Sequence, residues 1–130
     1  MTAAILSMAP TGESLHVFAL LSLIALSGIA QAQAVSALTT AEIEALISGN
    51  TVSGAMASSG RYSEFYAADG TIRAEGYTGS WRIEGDCMWF DYGRSTECWV
   101  VGAAGGELVW MKDGEIGGTG TLLKGNPNDY

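Results

Sequence analysis

Asp86-Cys87-Met88-Trp89-Phe90-Asp91-Tyr92-Gly93-Arg94-Ser95-Thr96-Glu97-Cys98-Trp99-Val100-Val101 reads as two β-prone runs around one turn. Aromatic and β-branched residues fill both flanks, and Tyr92-Gly93 marks the corner. An antiparallel pairing centred on that corner sets Cys87 directly across from Cys98. It also sets Trp89 across from Thr96, Phe90 from Ser95 and Asp91 from Arg94, and a two-residue or a four-residue connection keeps this register. Directly opposed side chains in non-hydrogen-bonded pairs come close enough for a disulfide. Such a bridge over a short loop stabilises by about 2–3 kcal/mol on chain-entropy grounds. Two free thiols or an intermolecular bridge are the alternative reading of the same spacing.

The same pattern of short runs and turn residues fills most of the chain. Strands are expected at Thr51-Met56, Tyr62-Tyr66, Thr71-Tyr77, Ser80-Glu84, Cys87-Phe90, Ser95-Val101, Glu107-Lys112 and Glu115-Leu123. Charge tests two of the hairpins. A two-residue turn at Asp113-Gly114 pairs Lys112 with Glu115 and Met111 with Ile116. At Asp69-Gly70 a two-residue turn would oppose Glu64 to Glu75, which like-charge repulsion disfavours. A three-residue loop with Gly70 in the left-handed region avoids that clash, setting Tyr66 against Ile72 and Tyr62 against Gly76.

One segment breaks the pattern. Leu38-Thr39-Thr40-Ala41-Glu42-Ile43-Glu44-Ala45-Leu46-Ile47-Ser48-Gly49-Asn50 carries a capping box in Thr39 and Glu42, and Gly49-Asn50 as a stop. It predicts a short amphipathic helix at about 39–48 with Leu38, Ile43, Leu46 and Ile47 on one face, lying as a lid over an end or edge of the sheet. Consecutive hairpins without a long crossover make an all-β, antiparallel up-and-down meander of about eight strands. Closure into a small barrel removes its edges; a strongly twisted half-open sheet is the alternative.

Residues 1–34 read as a secretory signal and residues 35–130 as a single domain. The uncharged run Val17–Ala30 falls short of the roughly 20 apolar residues that span a bilayer, so no stable membrane span is expected once it is cleaved. Two small-x-small sites follow it, Ala30-Gln31-Ala32 and Ala32-Gln33-Ala34. Residues 1–16 lack Lys and Arg, which departs from the usual basic start; an uncleaved anchor or a helix of the fold is the competing reading. The expected location is periplasmic or secreted, where a disulfide persists.

The whole chain has 130 residues, 14 acids against 6 bases and a net charge of -8. A nucleic-acid partner is not expected, because phosphate neutralisation needs clustered Lys and Arg. The single histidine, His16, lies in the expected signal, so the domain has no imidazole for nucleophilic catalysis or for the commonest zinc site. No catalytic residue, cofactor or metal ligand is assigned, and the domain reads as a non-enzyme. A carboxylate-based hydrolase is the least favoured class: its pair would have to come from Glu64, Glu75, Glu84, Asp86 and Glu97, and no spacing selects one.

From Leu38 to Asn126 the chain resembles a family of small exported bacterial proteins whose domain has no assigned function. The resemblance is carried by Leu38-Thr39, Gly49-Asn50-Thr51, Asp69-Gly70, Gly79-Ser80-Trp81, the pair Cys87 and Cys98, and Gly125-Asn126. It implies export and the disulfide, and no site residues. More loosely, Gly79-x-Trp81 is similar to the strand start of lipocalin-like and avidin-like barrels. Ser59-Gly60-Arg61-Tyr62 resembles a loop of periplasmic lysozyme inhibitors, one residue out in spacing and without the surrounding cysteines.

Trp81, Trp89, Trp99 and Trp110, with five tyrosines, make the domain rich in aromatic rings. Their ordinary use is to fill a barrel core and cover glycines. The sharper expectation is a cavity lined by Trp81, Trp89, Trp110 and Tyr66 that takes a small apolar or sugar-like ligand. A binding or inhibitory module is therefore the favoured function, with a basic protein as the other possible partner. That second partner requires acids gathered at one end of the barrel. A self-associating structural protein of the cell envelope is the alternative and requires an exposed apolar patch.

Overall fold

A computed structural model describes residues 34–130, so the signal expected over 1–34 lies, apart from Ala34, outside the described residues. Eight strands form the body: β2 (Asn50–Met56), β3 (Gly60–Tyr66), β4 (Thr71–Ala74), β5 (Tyr77–Glu84), β6 (Cys87–Asp91), β7 (Thr96–Ala104), β8 (Glu107–Lys112) and β9 (Glu115–Leu123). Each pairs antiparallel with the next, and β9 returns to β2 from Thr51↔Leu123 to Met56↔Gly118, closing the barrel. A short β1 (Ser36–Ala37) lies on β7 at Gly102 and Ala103, beyond the point where the β6–β7 pairing stops at Met88↔Trp99. No helix of the described residues is long and apolar enough to cross a membrane.

The helix α1 (Thr40–Ile47) begins where the sequence places it. Thr39 Oγ1 accepts the Glu42 N–H, and Glu42 Oε2 accepts the Thr39 N–H at 3.0 Å. That exchange satisfies two of the donors a helix start leaves open. Asp86, in the β5–β6 turn, ties the helix to the barrel: its Oδ1 accepts the Thr40 N–H at 2.9 Å and the Thr40 hydroxyl at 2.8 Å. Those bonds hold the Asp86 carboxyl below its ordinary pKa. Ile43 and Ile47 point into the barrel and are fully buried, while Leu46 stays exposed at the edge of the face. The Gly49-Asn50-Thr51 and Gly125-Asn126 motifs meet in a clasp. Asn50 Oδ1 accepts the Gly125 N–H at 2.8 Å, Asn50 Nδ2 donates to Leu46 O, and Thr51 Oγ1 donates to Gly125 O.

The Asp113-Gly114 hairpin has the expected register, with Lys112 opposite Glu115 and Met111 opposite Ile116. Both turn residues take positive φ, 54° and 79°, as a two-residue hairpin turn of the favoured hand requires. Around Asp69-Gly70, Tyr66 does oppose Ile72 and Gly70 is left-handed. Tyr62 does not oppose Gly76, however, because β3 and β4 pair only at Phe65↔Arg73 and Tyr66↔Ile72. The expected strand Thr71-Tyr77 is in fact broken at Glu75-Gly76, with Gly76 at φ 83°, and Tyr77 opens β5. Gly79, left between the expected strands Thr71-Tyr77 and Ser80-Glu84, sits inside β5. A side chain there would meet the Asp91 carbonyl and the Tyr92 ring, each 2.8 Å from its Cβ.

The Cys87–Cys98 bridge forms, with Cα atoms 5.8 Å apart, but the two residues are not directly opposed. Trp89 faces Cys98 and Asp91 faces Thr96, so the disulfide runs diagonally between the strands. Asp91 extends β6, its carboxylate takes the Gly93 N–H at 2.7 Å, and the Tyr92 side chain turns toward the barrel mouth. The connection becomes Tyr92-Gly93-Arg94-Ser95, and the expected Asp91–Arg94 pairing is lost.

Candidate functional site

Alternation along β3 directs Tyr62, Glu64 and Tyr66 inward, against Gly54, Val52 and Asn50 of β2. Glu64 is therefore a carboxylate inside a barrel, 6% exposed. Burying that charge is costly unless its lone pairs are satisfied. Three phenols satisfy them. Tyr66 donates to Oε2, Tyr77 donates to Oε1 at 2.8 Å, and the Tyr92 hydroxyl is shared between Oε1 and Oε2 at 2.9 and 3.1 Å. These donors arrive from the end of β3, the start of β5 and the β6–β7 connection. Gly79 supplies the space in which the Tyr92 ring lies.

A fourth phenol makes its own pair of hydrogen bonds. Tyr62 accepts the Trp110 Nε1–H at 2.6 Å and donates to the Thr119 carbonyl at 3.0 Å. A Cβ on Gly120 would clash with the Tyr62 hydroxyl, so the glycine of β9 is what lets it reach that carbonyl. Burial, only partly offset by the Trp110 hydrogen bond, raises the Tyr62 pKa to about 12. Burial and then the Glu64 charge push Tyr66 and Tyr92 well above the usual phenol value. Tyr77 rises through burial and the hydrogen bond it gives Glu64. All four keep their protons at neutral pH.

Above this cluster the barrel opens into a cavity of about 490 Å³. Its walls are Tyr62, Tyr66, Tyr77, Phe90, Tyr92, Trp99 and Trp110, with Glu64 in the lining and Met56, Ser58, Ser59, Arg61, Thr78 and Glu97 completing it. The rings brace one another: Phe90 stacks parallel to Tyr92 with centroids 6.4 Å apart and meets Trp110 edge-on at 5.5 Å. Such pairs add about 0.5–1.5 kcal/mol each beyond burial. Near Glu97, the Lys112 ammonium lies 5.4 Å over the Trp99 ring and 3.3 Å from the Glu97 carboxylate.

Of the four residues expected to line a cavity, Tyr66 and Trp110 do line it. Trp81 lies in the core, its Nε1–H given to Ala67 O at 3.0 Å, and anchors the β3–β4 loop. Trp89 stands on the outer face, opposite Arg82 and Cys98, with the Arg82 guanidinium 5.0 Å over its ring. The space over the β9 glycines is filled: Trp99 covers Gly117, Met56 covers Gly118 and Tyr62 covers Gly120. The tyrosine set around Glu64 was not read from the sequence, although Tyr62-x-Glu64-x-Tyr66 places an acid on an aromatic inward face.

Of the carboxylates considered for a hydrolase, Glu64 and Glu97 both line the cavity; Glu64 is saturated by phenols and Glu97 is paired with Lys112. Glu75 lies in the β4–β5 turn, outside that lining. Glu84 pairs with Arg82, and Asp86 holds the helix. Among the described residues no group of three or more His, Cys, Asp or Glu could hold a metal. No protein-family model, curated protein or solved structure matches the chain.

Proposed function

We propose that this protein is an exported, non-enzymatic binding module whose barrel mouth takes a small ligand. The observation that carries this is the cavity of about 490 Å³ with seven aromatic side chains in its lining and a hydrogen-bonded carboxylate among them. Pockets of roughly 300–1,000 Å³ with apolar walls and a few convergent polar groups are the size and character of small-molecule sites. The disulfide is compatible with an oxidising compartment. The acids do not gather at one end: Glu75, Glu97 and Asp113 flank the mouth, while Glu42, Asp69 and Asp86 lie at the helix end. That spread favours a small ligand over a basic protein docked on an acidic face.

A second reading rests on a separate observation. On the outer wall Val100 opposes Met111 and Met111 opposes Ile116, with Val100 and Ile116 exposed, which forms a small apolar strip suited to self-association. Native mass spectrometry of protein purified from the cells that make it separates the two. The expected result is a monomer that retains a small molecule and releases it on denaturation. A bare monomer whose tryptophan fluorescence no small compound changes overturns the ligand reading, and a bare dimer supports the strip.

A further inference from the structure

We infer that the mouth cavity is a receptor for an organic cation with apolar substituents, of the alkylammonium class; the inference rests on the small-ligand reading above. Glu64 is a buried acid whose hydrogen bonds come from neutral hydroxyls. Among the described residues the ion pairs are Arg82–Glu84 and Lys112–Glu97, so no basic side chain is ion-paired with it. Buried carboxylates ordinarily have a countercharge, because phenol donors only partly replace water. An ammonium ligand supplies the missing one.

The surroundings select the kind of cation. Aromatic faces attract positive charge through their quadrupole and also cover alkyl groups. A metal ion needs several oxygen ligands, and the Glu64 oxygens already accept the three phenols. An anion entering the cavity would approach the same carboxylate. The protein itself already places an ammonium in such a setting, with Lys112 held over Trp99 beside Glu97. The part around Phe90, Tyr92 and Glu64 repeats that chemistry, and Arg61, also in the lining, makes no ion pair with Glu64.

The test compares choline with 3,3-dimethyl-1-butanol, its uncharged carbon isostere, by calorimetry and tryptophan fluorescence on the full chain. Choline should bind at least about 10-fold more tightly, within what cation–π contacts and a buried charge provide. Glu64→Gln should remove that preference while circular dichroism still reports a folded barrel. Should this variant not fold, Tyr92→Leu, at a position 44% exposed, should weaken choline several-fold and leave the isostere unchanged. Equal binding of both probes overturns the cation and leaves the small-ligand reading standing. Binding of neither also overturns the cation, while the retained-ligand measurement judges the cavity separately.

Discussion

The two ends of the barrel solve opposite problems with the same strands. At the helix end, Ile43, Ile47, Val52, Ile72, Met88 and Val101 are all fully buried, and α1 closes the opening. At the mouth, the inward positions carry phenols, indoles and a carboxylate, and Tyr77 and Tyr92 remain 42% and 44% exposed. Aliphatic groups have no directional demands, so one end fills to completion. Hydroxyls and a charge demand particular partners, so the other end is built by hydrogen bonding and leaves space.

That contrast breaks most visibly at high pH. The mouth phenols hold their protons in the folded barrel above the ordinary value of about 10, and the unfolded chain gives them up first. Their contribution is therefore complete below pH 10 and is lost as the pH rises through the Tyr62 value of about 12. Phenolate absorbance and loss of circular dichroism should rise together in that window. Phenolate formation near pH 10 in a barrel that stays folded would show that the mouth is not a packed hydrogen-bonded network.

The opposite end is probed by Ile47→Ala, which empties a fully buried position beneath α1. It should cost about 2–5 kcal/mol in urea unfolding and leave ligand affinity at the mouth unchanged. A large change in affinity would mean the two ends are coupled. The smallest effect sharpens the same point. Thr39→Ala removes the side-chain half of the capping box and should cost about 1 kcal/mol, again without touching the mouth.

What the sequence made legible was local. Asp113-Gly114 specifies one turn geometry, and the Lys112–Glu115 pairing checks it, so that hairpin needed nothing from elsewhere. Thr39 and Glu42 likewise determine the start of α1 between themselves. Two of the misreadings, the β6–β7 register and the role of Gly79, go with Tyr92 reaching Glu64. That reach goes with a shifted β6–β7 register in which Tyr92 opens the four-residue connection. It also makes Gly79 a packing residue, a role identical in sequence to a turn glycine. The candidate site was half visible: Tyr66 and Trp110 were read as cavity-lining, while Glu64 stood only as one of five scattered acids. Tyr77 and Tyr92 come from distant segments, and only the closed barrel brings their hydroxyls to the same carboxylate.

The seam where Thr51 meets Leu123 carries a consequence for how the molecule comes into being. Every other strand neighbour in the barrel is also a neighbour along the chain, so hairpins can form as the polypeptide lengthens. The last pairing must wait for β9, and bringing distant segments together is the slow step for such topologies. Until β9 docks on β2 the barrel has two unpaired margins. The vessel exists only as a finished whole.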